Sequence, residues 1–130
     1  MILNIPAIPP SPNVLRRKYR NPHVYQRLRN SWETWLLFAP RGANERTVWR
    51  RSIAYGAKVR LNVRLYHQGT YDPDNLVGCL KPVIDALVRV KYLLDDSAKY
   101  FELGEIEQIR STEKRTVLHL LLADEAPHAA

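Results

Sequence analysis

The sequence has few of the features that mark secreted or membrane proteins. Cys79 is the only cysteine among 130 residues, which excludes an internal disulfide and a cysteine-based zinc cluster. No run of about 18 apolar residues occurs, so we expect no transmembrane helix. The opening MILNIPAIPP lacks the basic residues and the long apolar core of a signal peptide. These absences predict a cytoplasmic protein, and the chain length suits one domain with a hydrophobic core.

Acidic residues are scarce in the first half of the chain. Residues 1–64 contain 13 Lys and Arg against 2 acids, residues 65–130 contain 7 against 11, and the net charge is +7. This asymmetry predicts a polyanion-binding surface in the first half and a separate acidic centre in the second. The alternative for any one basic residue is simple solvation. The candidate DNA contacts are Arg16, Arg17, Lys18, Arg20, Arg27, Arg29, Arg50 and Arg51, with Tyr19 as a base-stacking residue.

Hydrophobic periodicity predicts the main regular elements. Strict alternation over residues 57–67 predicts a half-buried strand, and spacings of three and four over residues 23–38 predict an amphipathic helix that Pro40 stops. The other segments are predicted from prolines, polar turns and short apolar runs. They are a strand at 1–6, a loop at 7–13, a basic loop or arm at 16–23, a helix or mobile connection at 41–56, a helix at 74–90, a hairpin of strands 105–110 and 115–123, and a disordered tail at 124–130.

This order of elements predicts the fold class. Strand, helix, strand, helix and hairpin (β-α-β-α-β-β) indicate a single α+β domain over residues 1–123, with helices packed on a small mixed sheet.

Five aspartates fall within residues 71–100, YDPDNLVGCLKPVIDALVRVKYLLDDSAKY. Each of them has an ordinary local explanation. These explanations are Asp72 as an N-cap before Pro73, Asp74 in the first helical turn, Asp85 paired with Arg89, and Asp95 with Asp96 in a solvated turn. Clustered carboxylates nevertheless repel one another unless a cation joins them, and such hard oxygen ligands suit Mg²⁺ or Mn²⁺. Taken together, the aspartates predict metal-dependent chemistry on a phosphodiester.

A continuous helix over residues 74–90 would align part of this set. Lys81 and Asp85 would then each stand within about 20° of Asp74 around the helix axis. Pro82 lies inside this helix and predicts a bend or a later start.

The acids at the far end of the segment follow two leucines. Burial of Leu93 and Leu94 would hold Asp95 and Asp96 in place, and a chain reversal would bring one of these acids back to the Asp72 end.

A longer pattern runs through the same residues: Asp72-Pro73-Asp74-Asn75-Leu76, Lys81, Asp85-Ala86-Leu87 and Leu94-Asp95-Asp96, after a proline-rich PPSPN at residues 9–13. In this pattern the sequence resembles the RusA family of Holliday junction resolvases, over most of the chain. The family's lysine follows Asn-Leu by two residues. Gly78 stands there in this chain, and Lys81 corresponds to the lysine if three residues are inserted.

The resemblance implies a magnesium-dependent crossover junction endodeoxyribonuclease, of a kind common in phages and prophages, which acts in DNA recombination and repair. It implies a homodimer, four-way or branched DNA as substrate, and Mn²⁺ as a possible substitute ion. Asp72, Asp74 and Asp96 would be the catalytic metal ligands, with Asp95 as the alternative to Asp96. Lys81 would be catalytic, and Asn75 would contact DNA. A non-catalytic branched-DNA-binding protein with the same fold is the alternative, and a basic RNA-binding module is a weaker one because it leaves the acids unexplained.

Overall fold

The strand β2 (Val59–His67) lies inside a four-stranded mixed sheet. Its aliphatic and polar residues alternate, so every second side chain is buried while Arg64 on the opposite face is exposed. The order across the sheet is β1 (Ile2–Ile5), β4 (Arg115–Leu122), β2 and β3 (Phe101–Arg110). The structure is a computed structural model, and it describes residues 1–18 and 20–125.

β3 and β4 follow each other in the chain but do not pair, because β2 lies between them. β2 is parallel to β3 and antiparallel to β4, and β4 is also antiparallel to β1. Residues 111–114 cross the end of β2, where the Ser111 amide donates to the His67 carbonyl (3.0 Å). The strands predicted at 105–110 and 115–123 exist, but the predicted hairpin is wrong. Four residues easily span the roughly 10 Å between strands two positions apart, so a short polar turn does not require a hairpin.

Helices cover the aliphatic side of the sheet. α2 (Pro22–Phe38) and α5 (Lys81–Arg89) pack on each other and contribute Trp32, Leu36 and Leu87 to a core that includes the aliphatic residues of β2. α2 confirms the helix predicted over residues 23–38. The domain is thus α+β, with a four-stranded mixed sheet and helices packed on it, as predicted.

Two further helices lie in segments where the sequence patterns were weak. α3 (Ala43–Ile53) forms within residues 41–56, and its buried Trp49 and Ile53 join the core. α1 (Pro12–Lys18) overlaps the predicted loop at 7–13 and the predicted loop or arm at 16–23, so those predictions are wrong for residues 12–13 and 16–18. The Ser11 hydroxyl accepts from the Val14 amide (3.3 Å) at the start of α1, and the prolines stand ahead of or in the first turn, where a missing N–H costs little.

Two helices replace the single one predicted over residues 74–90. α4 (Pro73–Gly78) ends at a two-residue turn, and α5 begins directly after it. Pro82 therefore lies in the first turn of α5, where its ring meets no preceding helical carbonyl. In a continuous helix the same ring would clash with the carbonyl of residue 78, and this clash decides against the longer helix.

The chain turns once more after β4, in the short 3₁₀ helix Ala123–Glu125. Residues 126–130 of the predicted disordered tail lie outside the described residues. Within the described part of the chain, no helix is long and apolar enough to cross a membrane.

Candidate active site

Asp72 is the N-cap of α4. Its Oδ1 accepts a hydrogen bond from the Asn75 backbone amide (2.9 Å), and its Oδ2 accepts one from Asn75 Nδ2 (3.1 Å). Pro73 follows at the start of the helix, and Asp74 stands exposed in the first turn. The local explanation of Asp72 as an N-cap is therefore confirmed. Both of its oxygens already have a partner, and the side-chain amide of Asn75, a predicted DNA contact, is held by Asp72.

The loop that carries Asp72 is fixed to the sheet by Gln108 of β3. Gln108 Oε1 accepts from the Tyr71 amide (2.8 Å), and Gln108 Nε2 donates to the Tyr71 carbonyl (2.9 Å). The Tyr71 hydroxyl donates to the Pro9 carbonyl (3.0 Å). Nε2 of the buried His67 is 3.1 Å from Gln108 Oε1. One amide side chain thus holds both backbone polar groups of Tyr71, and this fixes where α4 begins.

Gly78 occupies the position at which the RusA pattern has its lysine, and packing explains the glycine. A Cβ atom added to Gly78 would stand 2.6 Å from Cγ of Pro12. α1 packs on α4 at this point, so no larger residue fits without movement of a proline ring. The lysine of this chain stands instead at position 81, in the first turn of α5.

Lys81 and Asp96 line one open pocket together with Asp85. The other lining residues are Val77, Ile84 and Phe101. Lys81 and Asp85 are four residues apart in α5 and so lie on the same side of that helix, whereas Asp96 comes from the loop that follows. Asp72 and Asp74 do not line this pocket. Asp74 is three residues before the lining residue Val77 in α4.

A second pocket adjoins the first and is lined by Arg29, Asp85, Val88, Arg89, Asp95 and Asp96. Because Asp85 and Asp96 line both pockets, the two form a continuous trough. We use "trough" for the surface formed by its charged residues, Arg29, Lys81, Asp85, Arg89, Asp95 and Asp96. It holds three carboxylates and three cations, so it is a mixed site rather than a purely acidic one.

α2 contributes polar side chains to one wall of the trough. The Tyr25 hydroxyl donates to Asp85 Oδ2 (2.9 Å), and Glu33 forms an ion pair with Arg89. The predicted pair of Asp85 with Arg89 is therefore wrong, because each has a partner on α2 instead. Burial, and then the hydrogen bond to Asp85, raises the pKa of Tyr25 to about 12, so the phenol stays a donor at neutral pH.

Tyr92, three residues after the end of α5, anchors the loop that carries Asp95 and Asp96. Tyr92 is fully buried, its hydroxyl donates to the Leu36 carbonyl (2.8 Å), and its own carbonyl accepts from Trp49 Nε1 (2.9 Å). Leu93 is buried as predicted, but Leu94 is 39% exposed, so the prediction that both leucines are buried is wrong for Leu94. The acids are thus anchored through Tyr92 and Leu93.

Cys79 lies buried in the turn between α4 and α5. Its Sγ donates to the Leu76 carbonyl (3.0 Å), and burial raises the pKa of the thiol to about 12. The thiol therefore stays protonated at neutral pH, and it is a packing residue rather than a nucleophile.

The donor set of the trough suits a hard divalent cation held by few protein ligands. Among residues 1–18 and 20–125, no three His, Cys, Asp or Glu side chains are grouped closely enough to hold a metal ion. The predicted ligands Asp72, Asp74 and Asp96, or Asp95, therefore do not form a preformed cage. Mg²⁺ commonly binds through one or two carboxylates, keeps several waters and takes further ligands from substrate phosphates. Asp96 and Asp85, which line the same pocket, provide such a pair.

The predicted DNA contacts fall into two groups. Arg16, Arg17, Arg20 and Arg27 are exposed on or beside α1 and α2. Arg50 instead donates to the Val90 carbonyl (2.8 Å), and Arg29 lies in the trough. Tyr19 and the side chain of Lys18 lie outside the described residues. The sequence analysis did not predict the contact of Tyr25 with Asp85. Tyr25, Arg29 and Glu33 are spaced four residues apart in α2, and this spacing would have indicated a polar stripe on that helix.

No protein-family model matches the chain, and no curated protein matches it at a significant level.

Proposed function

We propose that this protein is a divalent-metal-dependent endonuclease that cuts four-way or otherwise branched DNA, in the manner of the RusA family that it resembles. The observation that carries the proposal is that Lys81 and Asp96, two predicted catalytic residues from separate segments, line one open pocket with Asp85. Hydrolysis of a phosphodiester needs oxygen ligands for a divalent ion beside cations for the phosphate. The excess of basic residues in the first half of the chain favours a nucleic-acid substrate.

Each residue of the pocket has a separate task in this proposal. Asp96 and Asp85 would hold Mg²⁺, or Mn²⁺ in its place, with Asp74, exposed in the first turn of α4, as a further ligand and Asp72 orienting α4 through its cap. When bound, the ion would neutralise phosphate charge and lower the pKa of a coordinated water. Lys81 stabilises the charge that grows on the phosphate as a water oxygen bonds to phosphorus and the ester bond breaks. One strand end keeps the phosphate, and the other leaves as a hydroxyl after taking up a proton.

The proposal includes a homodimer, since two troughs acting together would cut both sides of a four-way junction. The exposed arginines of α1 and α2 would bind the DNA backbone and give an affinity that falls as salt concentration rises.

A non-catalytic branched-DNA-binding protein is the second candidate. Two observations favour it: no three ligating side chains are grouped within the described residues, and both oxygens of Asp72 are occupied in capping α4. Such a protein would use the same arginines but would not turn over a phosphodiester.

Cleavage of a synthetic four-way junction separates the two candidates. The junction and a linear duplex of the same sequence are incubated with the protein in Mg²⁺ and in EDTA, and its mass is measured by sedimentation. We expect cleavage only with Mg²⁺, preference for the junction, and a mass twice that of the 15.1 kDa chain. Junction binding without cleavage under either condition selects the second candidate, and the absence of junction binding rejects both.

A further inference from the structure

Two arginines line the trough, Arg29 and Arg89, and of these Arg89 is closely paired with Glu33. Arg29 follows Tyr25 by four residues and precedes Glu33 by four, so the three side chains share the side of α2 that faces α5. Tyr25 contacts Asp85 and Glu33 contacts Arg89, and Arg29 stands between these contacts. It lines the trough beside Asp85, Asp95 and Asp96.

The guanidinium of Arg29 keeps hydrogen-bond capacity unused. Its Nε is buried and has no hydrogen-bond partner among the described residues. Glu33 Oε1 is 3.7 Å from Arg29 Nε, beyond hydrogen-bond distance, and the same oxygen pairs more closely with Arg89. By contrast, Arg46 and Arg50 donate to backbone carbonyls at 2.8 Å. Leaving a buried charged donor unsatisfied is costly. Arg115 Nε is in the same state, but its guanidinium lies over the Tyr66 ring and does not line the trough. At Arg29 the trough offers room for a ligand beside the guanidinium.

The charge of the trough indicates what this ligand is. A phosphate that approaches Asp85, Asp95 and Asp96 is repelled by all three carboxylates. Lys81 offers a point charge from the α5 wall, whereas a guanidinium offers a planar fork that matches two phosphate oxygens at once. The Arg29 side chain is 22% exposed and lines the trough, so part of it is accessible to a ligand there.

We propose that Arg29 binds the phosphate of the DNA strand that is to be cut and holds it against Asp85 and Asp96. This inference rests on the proposed nuclease function and deepens it, because it assigns the substrate-binding residue inside the trough. The exposed arginines of α1 and α2 bind neighbouring phosphates and set affinity, whereas Arg29 acts on the reacting phosphate itself.

The test compares Arg29→Ala and Arg29→Lys with Arg64→Ala. Arg64 is a matched control because it also forms a single ion pair with a glutamate, Glu107 (3.5 Å), but lies on the exposed face of β2, away from the helices. At saturating junction DNA with Mg²⁺, we expect Arg29→Ala to lower the cleavage rate about 100-fold, as for loss of a charge-stabilising donor at a reacting centre. Arg29→Lys should recover part of this loss, and Arg64→Ala should stay within about twofold of the unmodified protein, as for a substitution far from the site.

A second measurement on the unmodified protein guards against a folding defect. In EDTA, the ¹⁵N–¹H resonance of Arg29 Nε is followed by NMR while four-way junction DNA is added. We expect this resonance to shift as the DNA binds. An unmoved Nε resonance on a DNA-saturated protein overturns the proposal, as does an Arg29→Ala variant that cleaves at the unmodified rate. If the unmodified protein binds but never cleaves, the nuclease function fails, while the Nε resonance still decides whether Arg29 binds phosphate.

Discussion

Lys91 stands in a backbone conformation that glycine would adopt at lower cost. Its φ is +67°, the only positive φ of a non-glycine residue in the described part of the chain. The Tyr92 amide donates to the Leu87 carbonyl (2.9 Å), and the Lys91 amide donates to the Val88 carbonyl (3.1 Å). These two hydrogen bonds are those of a Schellman motif, whose left-handed residue is usually glycine. The motif ends α5 and directs the chain to buried Tyr92, which anchors the loop with Asp95 and Asp96.

Lys91→Gly should therefore stabilise the protein. A left-handed conformation costs a non-glycine residue about 1–2 kcal/mol. Glycine loses about 0.5–1 kcal/mol more than other residues when its backbone is ordered. The difference favours Lys91→Gly by about 0.5–1 kcal/mol, and the exposed lysine side chain gives up little packing. With an unfolding entropy of about 2.1 cal/mol/K per residue over the chain, this free energy raises Tm by about 2–4 °C.

Thermal unfolding followed by circular dichroism measures the effect, with Lys91→Ala as the control. Alanine keeps the Cβ atom that makes the conformation costly and removes the rest of the side chain. Lys91→Ala should therefore stay within about 0.5 kcal/mol of the unmodified protein, as surface substitutions usually do. Equal melting temperatures for the two variants, or a lower one for Lys91→Gly, would refute the reasoning.

Two further predictions concern packing and ionisation beside the trough. Gly78→Ala should lower the free energy of unfolding, measured by urea titration, by about 1–2 kcal/mol. The reason is that the added Cβ would stand 2.6 Å from Pro12 Cγ. Gly42→Ala is the control and should not lower the free energy of unfolding, because the space around its Cβ is open. Absorbance titration should show Tyr25 ionising near pH 12, and Asp85→Asn should lower that pKa but leave it above 10, because burial is the larger cause. Because the pKa of Tyr25 is raised in the folded state, its contribution to the free energy of unfolding is complete below pH 10 and is lost as pH rises toward 12. Tyr25→Phe removes this ionisation, so the free energy of unfolding should vary less with pH between 10 and 12.

The elements that the sequence predicted correctly are those whose pattern extends over many residues. The alternation in β2 and the helical spacing in α2 each repeat often enough to outweigh local exceptions. The α+β class followed from these two elements and the order of the rest.

The elements that the sequence missed depend on prolines or on strand pairing. Pro12 was interpreted as a loop residue, although it begins α1, where proline is tolerated. Pro82 predicted a bend or a later start of the helix, and a new helix, α5, does begin at Lys81. The position of β2 between β3 and β4 is a long-range choice that a four-residue turn does not reveal. The strand that takes an interior position, here β2, hydrogen-bonds to a neighbour on each side, and its neighbours come from distant parts of the sequence.

The candidate site was predictable only as far as local motifs reach. The motif predicted functional roles for Lys81 and Asp96, and the structure places both residues at one pocket. The contact of Tyr25 with Asp85 and the place of Arg29 in the trough join α2 to α5 across a long stretch of chain, and no local spacing specifies them. The capping of α4 by Asp72 was predicted as the local explanation of this residue, because an aspartate followed by proline is typical of a helix start.

The cleavage rate of Asp96→Asn tests the proposed function most directly. Asn keeps the shape of the side chain and removes one charge from the trough, while Glu113→Gln removes a charge from the exposed loop between β3 and β4 and serves as the control. Under single-turnover conditions with Mg²⁺ and a four-way junction, we expect Asp96→Asn to bind the junction but to cleave at least about 100-fold more slowly. Glu113→Gln should cleave at the unmodified rate. Cleavage by Asp96→Asn at the rate of the unmodified protein would contradict the assignment of the trough as the active site.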